Sequence, residues 1–473
     1  MDIKKSFKPQ GDHNPIMTQR FGADPFAMVY KDRVYIYMTC DKLTYDKDGK
    51  LTDNTYQEID TISVASSADL VNWTDHGEVY AAGKNGIATW GGNSWAPAAC
   101  WKNINGKDKF FLYFADNASG IGVLTADSPT GPWTDPLGHA MINRSSENCS
   151  GVEWMFDPGV YYDETTGKGY IAFGGGIKNN NYSHSKTGRI AQLNDDMTGL
   201  VSGTVKTMDT PYLFEDSSLI KIGSTWYYSY CSNFQTGNQN INGVSFGSGQ
   251  IMAMTSNDPL TNWTESNLKC RVLAGMCDKG GNNHHSIIYF KGKYYVAYHS
   301  RQKALRQFKA EGLKTKQGSE DGNYRSTHLN EASYNPSTGV ITCTATMGGC
   351  SQLEYLDPYQ KNGAETMANN GGIQISGVGD TVVTNIEKGD WIKVKGVNFG
   401  TGAKSVTLRA SSKNGAFIKI CAGGADGTPI AYAEVPAGGS MSEITVPVIG
   451  ASGVSDMTFV FSGQLEFDSW QFN

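Results

Sequence analysis

The sequence predicts an all-β protein: a five-bladed β-propeller followed by a β-sandwich of jelly-roll type. Three observations carry that reading. The 473 residues include 56 glycines, 24 tyrosines and 10 tryptophans, while charged residues make up only 18%. Such a composition suits many short strands joined by tight turns, and argues against a coiled coil, a helical repeat or a disordered chain. A hairpin-like phrase recurs five times in the first two-thirds, and a period-two pattern takes over near Tyr355.

The recurring phrase has a small or acidic start, an apolar stretch, a turn and a Tyr-rich strand. Its copies begin at Ala23, Trp95, Phe156, Phe214 and Asn283. Each reads as two alternating strands about a turn, at Lys31-Asp32, Asn105-Gly106, Thr166-Gly167, Ile222-Gly223 and Lys291-Gly292. A second phrase follows from Ile62, Ile121 and Ile251, with a degenerate copy over 188–205. It reads as a strand, a polar turn and a Trp-Thr that opens another strand. Two such halves make a four-stranded sheet, and five sheets make the propeller. The repeat is longer than compact blades of ~40–50 residues, so long loops absorb the difference. Trp73, Trp133 and Trp263 read as blade packing.

Beyond Tyr355, alternating segments start at Trp391, Ser405, Ala416, Ser442 and Met457, separated by glycine-rich turns. They predict the sandwich. The expected division is an N-terminal extension over 1–9, the propeller over 10–350 and the sandwich over 351–473, with the junction between Cys350 and Pro358.

Net charge is −6 and the pI about 5.8. The richest basic run, Arg301 to Lys316, reads as a solvated loop, and no nucleic-acid partner is expected. No apolar run approaches the ~20 residues of a membrane span, so no membrane partner is expected either. Met1-Asp-Ile-Lys-Lys lacks the apolar core of a signal peptide. The expectation is a secreted or periplasmic native precursor, with a cytoplasmic location left open, and a monomer. Most of the nine cysteines read as small buried hydrophobes. Cys343 and Cys350 are left open as a pair.

In a propeller, the innermost strands bring equivalent positions to one funnel. Counting back eight residues from the turn aligns Asp24, Glu215 and His284, and matching the Asp-Pro and Ala-Pro phrases adds Asp157 and Ala96. Three carboxylates and an imidazole in one ring are not a core pattern, because buried carboxylates are costly unless paired or used. Glycoside hydrolysis needs one carboxylic acid for the leaving oxygen and one carboxylate opposite, roughly 6.5–9.5 Å apart when a water must fit between. A third carboxylate nearby keeps the acid protonated by like-charge repulsion.

The phrases GADPFAMVYKDRVYIY, WAPAA, FDPGVYYD, FEDSSLIKIGSTWYYSYCS and NNHHSIIYFKGKYYVAYHSR resemble the family 43 glycoside hydrolases over Asn14 to His328. The resemblance implies an inverting five-bladed propeller acting on arabinose- or xylose-containing polysaccharides, with no organic cofactor. It implies that Asp24 is the general base, Asp157 tunes and orients the acid, and Glu215 is the general acid. Asp216 points away from Glu215 by strand alternation. The fuller phrasing resembles the group that removes arabinofuranosyl side groups from arabinoxylan. For that group, Asn283 and Arg325 would contact the sugar, and Trp154 and Phe234 would wall the cleft; simple packing of Phe234 stays open. His284 resembles a channel histidine near a bound ion or water cluster, a merely hydrogen-bonded histidine being the commoner alternative.

The last domain resembles a family 6 carbohydrate-binding module through Leu356-Asp-Pro-Tyr, Ala364-Glu-Thr-Met-Ala, the stretch from Gly389 to Gly400, and Leu465-Glu-Phe-Asp-Ser-Trp. The resemblance implies a structural calcium on Glu365 and Asp468, hard oxygen ligands suited to that ion. Gly363 stands where a further acid is frequent. No sugar-gripping aromatic pair is evident near Asn414 to Phe417, so the module reads as a structural partner of the propeller. The alternatives carried forward are a β-xylosidase or endo-arabinanase of the same family, and a non-catalytic glycan-binding propeller. All three acids are present, which favours catalysis.

Overall fold

The computed structural model describes residues 2–261, 263–275 and 283–473. Strand pairing groups the first three-quarters of the chain into antiparallel four-stranded units. The first holds β1 (Ala23–Tyr30), β2 (Arg33–Thr39), β3 (Ile62–Ser67) and β4 (Trp73–Val79). The second holds β5 (Trp95–Ile104), β6 (Lys107–Asp116), β7 (Gly120–Ala126) and β8 (Ile142–Asn143). The third holds β9 (Gly159–Asp163), β10 (Lys168–Gly174), β11 (Gly188–Leu193) and β12 (Lys206–Met208). In the fourth, β13 (Leu213–Ile222) and β14 (Thr225–Ser232) pair with β17 (Ile251–Ser256) and β18 (Leu268–Leu273), around a small hairpin of β15 (Asn240–Ile241) and β16 (Val244–Ser245). The fifth holds β19 (His285–Phe290), β20 (Lys293–Ser300), β21 (Ser326–Asn335) and β22 (Val340–Cys343). The first strands β1, β5, β9, β13 and β19 each pack on the next, and β19 returns to β1, so they close a ring.

Among the described residues the ring is closed without strand exchange. Asn14 instead clasps the last unit: its amide nitrogen donates to the Leu329 carbonyl, Asn330 Oδ1 and the Thr346 carbonyl, and its oxygen accepts the Leu329 N–H. Trp73, Trp133 and Trp263 are buried between units, as packing predicts. Replacing one with alanine costs about 3–5 kcal/mol at a site of this kind.

Two expectations fail here, and one open question is answered. The Trp-Thr phrase opens a strand only at Trp73. After Trp133, Thr134 makes one bridge to Thr125 and the chain soon meets Pro136, which has no N–H to donate. After Trp263, a short 3-10 helix, Glu265–Asn267, intervenes, with Asn267 accepting the Thr264 N–H. The basic run holds a helix rather than a loop: α1 (Gln302–Glu311) buries Ala304 and Phe308 against Phe21 and Tyr324. Within it Lys303 is buried, its ammonium 3.4 Å from the Phe21 ring centre. Cys343 and Cys350 are both buried, and each sulfur is directed at backbone carbonyls instead of at the other.

The C-terminal domain is a sandwich of two sheets. One holds β26 (Gln374–Val378), β27 (Asp380–Ile386), β34 (Leu465–Phe472), β29 (Ser405–Ser411) and β32 (Ser442–Pro447), with β23 (Asn362–Gly363) beside β34. The other holds β25 (Asn369–Gly371), β28 (Trp391–Asn398), β33 (Val454–Phe461), β30 (Ala416–Ala422) and β31 (Thr428–Val435). Their inner faces share one core that includes Ile392, Leu408, Ile420, Phe459, Phe467 and Trp470. The sandwich is hydrogen-bonded to the ring. In β24 (Thr366–Met367), Thr366 pairs with Thr74 and Met367 with Trp73, while Val378 pairs with Gly77, all along β4. Residues before the ring also lie on the sandwich: the Lys4 N–H donates to the Gly389 carbonyl, and Trp391 Nε1 donates to the Lys4 carbonyl.

Candidate active site

At the start of the first strands the ladders break. β1 and β5 each carry an extra residue there, between Ala23 and Phe26 and between Trp95 and Ala98. β13 is irregular on both sides of Glu215. Four residues at or just before these strand starts have left-handed backbones: Asp24 (φ 46°), Ala96 (φ 39°), Asp157 (φ 49°) and Asp216 (φ 69°). Such φ values are unusual for non-glycine residues and persist only when surroundings hold them. Here neighbouring side chains take the displaced N–H groups. Asp24 N–H donates to His299 Nδ1 at 3.0 Å, Ala96 N–H to Thr39 Oγ1 at 2.8 Å, and Asp216 N–H to Asp157 Oδ2 at 2.9 Å.

This geometry corrects the register inferred for the fourth unit. Its turn is Gly223-Ser224, since Ile222 pairs with Thr225. Asp216, not Glu215, therefore matches Asp24 and His284. Glu215 sits one residue earlier, and the bulged strand still brings it to the cavity.

Asp24, Asp157, Glu215 and His284 line one cavity of about 470 Å³, with Arg325, Trp154 and Phe234. The strand starts bring together residues up to 301 positions apart: Arg325 Nη1 donates to Asp24 Oδ1 at 2.8 Å. Trp154 packs edge-on against Phe214 at 5.0 Å, and Phe214 against Phe234 at 5.1 Å, making a continuous aromatic wall. Asn283 is buried and its amide donates to the Gly249 carbonyl at 2.9 Å; it does not line the cavity. A side chain at Gly249 would meet the Phe234 ring at 2.5 Å, so the loop that Asn283 holds abuts the wall.

The acids are held in opposite states. Burial works against charge on Asp24, but the Arg325 guanidinium, His299 and His284 together outweigh it; its carboxyl lies well below the usual range. Glu215 is pushed well above its usual range by burial, then by Asp157 and Asp24. Burial and Asp24 likewise push Asp157 up. The two form a buried pair that resists double ionisation. Within it, the Asp216 N–H supports an anion on Asp157, while Glu215 Oε1 is buried with no hydrogen-bond partner. The proton therefore belongs on Glu215.

Asp216 is fully buried outside the cavity lining, bonded to His285 Nδ1 and to the His285 N–H. Burial pushes its carboxyl up to about 7. His284 stands among the acids, Nε2 3.2 Å from Asp216 Oδ1 and Nδ1 3.7 Å from both Asp24 and Asp157. Among the described residues, no cluster of three or more His, Cys, Asp or Glu side chains has a metal-holding arrangement.

Sequence reasoning missed Tyr56, Trp95, Asn117, Ala118, Phe156 and Phe214, which also line the cavity. Three of them carried a readable signal: Trp95, Phe156 and Phe214 each immediately precede Ala96, Asp157 or Glu215. Tyr56 and Asn117 lie in connections outside the repeat and carried none.

In the sandwich, Glu365 is pushed up to about 7 by burial and then by Asp468 and Asp380. Its Oε2 is buried without a partner. The Asp468 carboxylate meets Arg409 Nε at 3.2 Å. An unpaired buried carboxylate beside two other acids fits the oxygen-donor chemistry of a calcium ion.

Comparison with known proteins agrees with this architecture. Residues 13–335 match the glycosyl hydrolases family 43, and residues 363–473 match the carbohydrate binding module family 6. The chain is 40% identical to an arabinoxylan arabinofuranohydrolase of Bacillus subtilis, covering 98% of this chain and 92% of that protein. It is 39% identical to one from Paenibacillus polymyxa, covering 98% and 75%. A crystal structure of a family 43 arabinoxylan arabinofuranohydrolase from B. subtilis, in complex with cellotetraose, superposes with a TM-score of 0.92 over 99% of both chains. With its acids gathered in one cavity of an all-β ring and a β-sandwich bonded to that ring's edge, the chain belongs to glycoside hydrolase family 43 and carries a C-terminal family 6 carbohydrate-binding module.

Proposed function

We propose that this protein removes α-L-arabinofuranosyl side groups from arabinoxylan with inversion. One observation supports the chemistry above all: a carboxylate kept charged by Arg325 and a carboxyl kept neutral by burial face the same cavity. In this reading Glu215 gives its proton to the leaving xylan oxygen as Asp24 takes one from the attacking water. Asp157, held by the Asp216 N–H, keeps the proton on Glu215 and orients it. The Trp154–Phe214–Phe234 wall takes the apolar face of a sugar. The names of the full-length relatives support the substrate.

The reading includes a structural calcium at Glu365 and Asp468, where it would neutralise a buried carboxylate. It includes a protein that works as a monomer, since one chain supplies the cavity lining described here, and outside the cytoplasm, since polymeric xylan does not cross a membrane.

The test is sugar release from arabinoxylan, linear arabinan and xylobiose, followed by proton NMR of the first-formed anomer. The expected result is arabinose from arabinoxylan, appearing as the inverted β-anomer. Release of xylose from xylobiose at a higher rate would favour the β-xylosidase alternative, and oligomers from arabinan the endo-arabinanase. No release from any of the three would leave a glycan-binding ring.

A further inference from the structure

Behind the proposed base lies an acid that the cavity does not expose. Asp41 follows the end of β2, is buried, and does not line the cavity. Arg325, just ahead of β21, is bound to it three times. The Arg325 backbone N–H and Nε both donate to Asp41 Oδ2 at 2.9 Å, and Nη2 donates to Asp41 Oδ1 at 2.7 Å. The Tyr56 ring covers the guanidinium, its centre 4.6 Å from Cζ. Nη1 is the atom that reaches Asp24, donating to Oδ1 at 2.8 Å.

A planar guanidinium gripped through two parallel bonds has its orientation fixed, which a single bond or a lysine does not achieve. His284 and His299 also approach Asp24 on Oδ1, the oxygen that Arg325 engages. We infer that Asp41 is a positioning residue: it fixes Arg325 so that Oδ1 of Asp24 is anchored and Oδ2 takes the proton of the attacking water. Asp41 also shares the arginine's charge. Without it more of the arginine's charge would act on Asp24, and the tighter pair makes a weaker base. This inference rests on Asp24 being the general base.

The experiment measures kcat and KM on an arabinoxylan oligosaccharide for Asp41→Asn, Arg325→Met, the double variant Asp41→Asn/Arg325→Met, and Asp24→Ala, with thermal unfolding of each. Displacing a catalytic group by about 1 Å costs on the order of 10²-fold. Asp41→Asn is expected to lose about that factor in kcat, with KM within about threefold, because Asp41 does not touch the sugar. The double variant removes both charges, so it leaves neither buried ion unpaired. If Asp41 acts through Arg325, the double variant matches Arg325→Met within about threefold in kcat, whether or not Asp41→Asn folds well alone. A further tenfold loss in the double variant, or unchanged kcat in Asp41→Asn, overturns the inference. Near-normal turnover by Asp24→Ala would instead overturn the assignment of the base, and with it the ground for a positioning role.

Discussion

The two sides of the cavity bury the same chemical group, and keep it ionised on one side and neutral on the other. On the side of the first unit, Asp24 has a guanidinium at 2.8 Å and stays ionised. On the side of the third and fourth units, Glu215 and Asp157 face each other, one backbone N–H supports Asp157, and burial with the neighbouring acids pushes both up. Burial raises all three. The guanidinium supplied from the start of β21, together with His299 and His284, separates a base from an acid. The lesson is that protonation state here follows from which neighbour arrives, and not from depth.

The largest test removes the members of that contrast. Asp24→Ala and Glu215→Ala are each expected to lower kcat by ~10³-fold or more on unactivated arabinoxylan, within the range of general acid–base catalysis. Folding should persist, checked by circular dichroism, because each lies at a solvent-facing cavity.

Asp157→Asn sharpens the comparison. Activity requires protonated Glu215, so it falls as pH rises through that group's pKa. Removing the neighbouring negative charge lowers the pKa, so the alkaline limb of kcat/KM moves to lower pH, with a ~10-fold loss in kcat. The acid limb, set by Asp24 far below the usual range, should not move.

Phe234→Ala tests the wall. It removes an apolar face without touching either acid, so KM should rise about tenfold with kcat within about threefold.

The smallest effect lies in the sandwich. Glu365 has its folded pKa raised from 4.5 to about 7. Its contribution to stability is therefore complete below about pH 4.5 and is lost as pH rises through about 7. A calcium ion that pairs the carboxylate offsets that loss. Added calcium should raise Tm by several degrees at pH 8 and by less at pH 5, followed by thermal unfolding with and without chelator.

The sequence made the hairpins legible because their turns carry glycine, asparagine or aspartate between alternating strands, and the observed turns fall at or beside the expected residues. The start of β13 was not legible in the same way. The turn lies at Gly223-Ser224, one residue later than Ile222-Gly223, so the count back lands on Glu215 in place of Asp216, and the bulges beside Glu215 then return it to the cavity. The acid was still identified, because the surrounding phrase marks it independently of the count. Asp41 and Tyr56 escaped for another reason. They act through Arg325, nearly three hundred positions away, and only folding brings them to it. Whether Cys343 and Cys350 pair was left open by the sequence, and the fold answers it by directing both sulfurs at backbone carbonyls.

The outer strands of the ring differ in length in a telling way. Those of the second and third units, β8 and β12, have two and three residues. Those of the fourth and fifth meet each other at Leu273 and Cys343. The outer strand of the first unit has seven residues and is occupied by Thr366, Met367 and Val378. A long bare margin would invite another polypeptide to add itself there. The C-terminal domain is thus a fitted cover as much as a passenger, and cutting the gene between the two domains should yield a catalytic fragment prone to self-association. Any glycan it grips is also held at one set distance from the acids, a ruler in place of a leash.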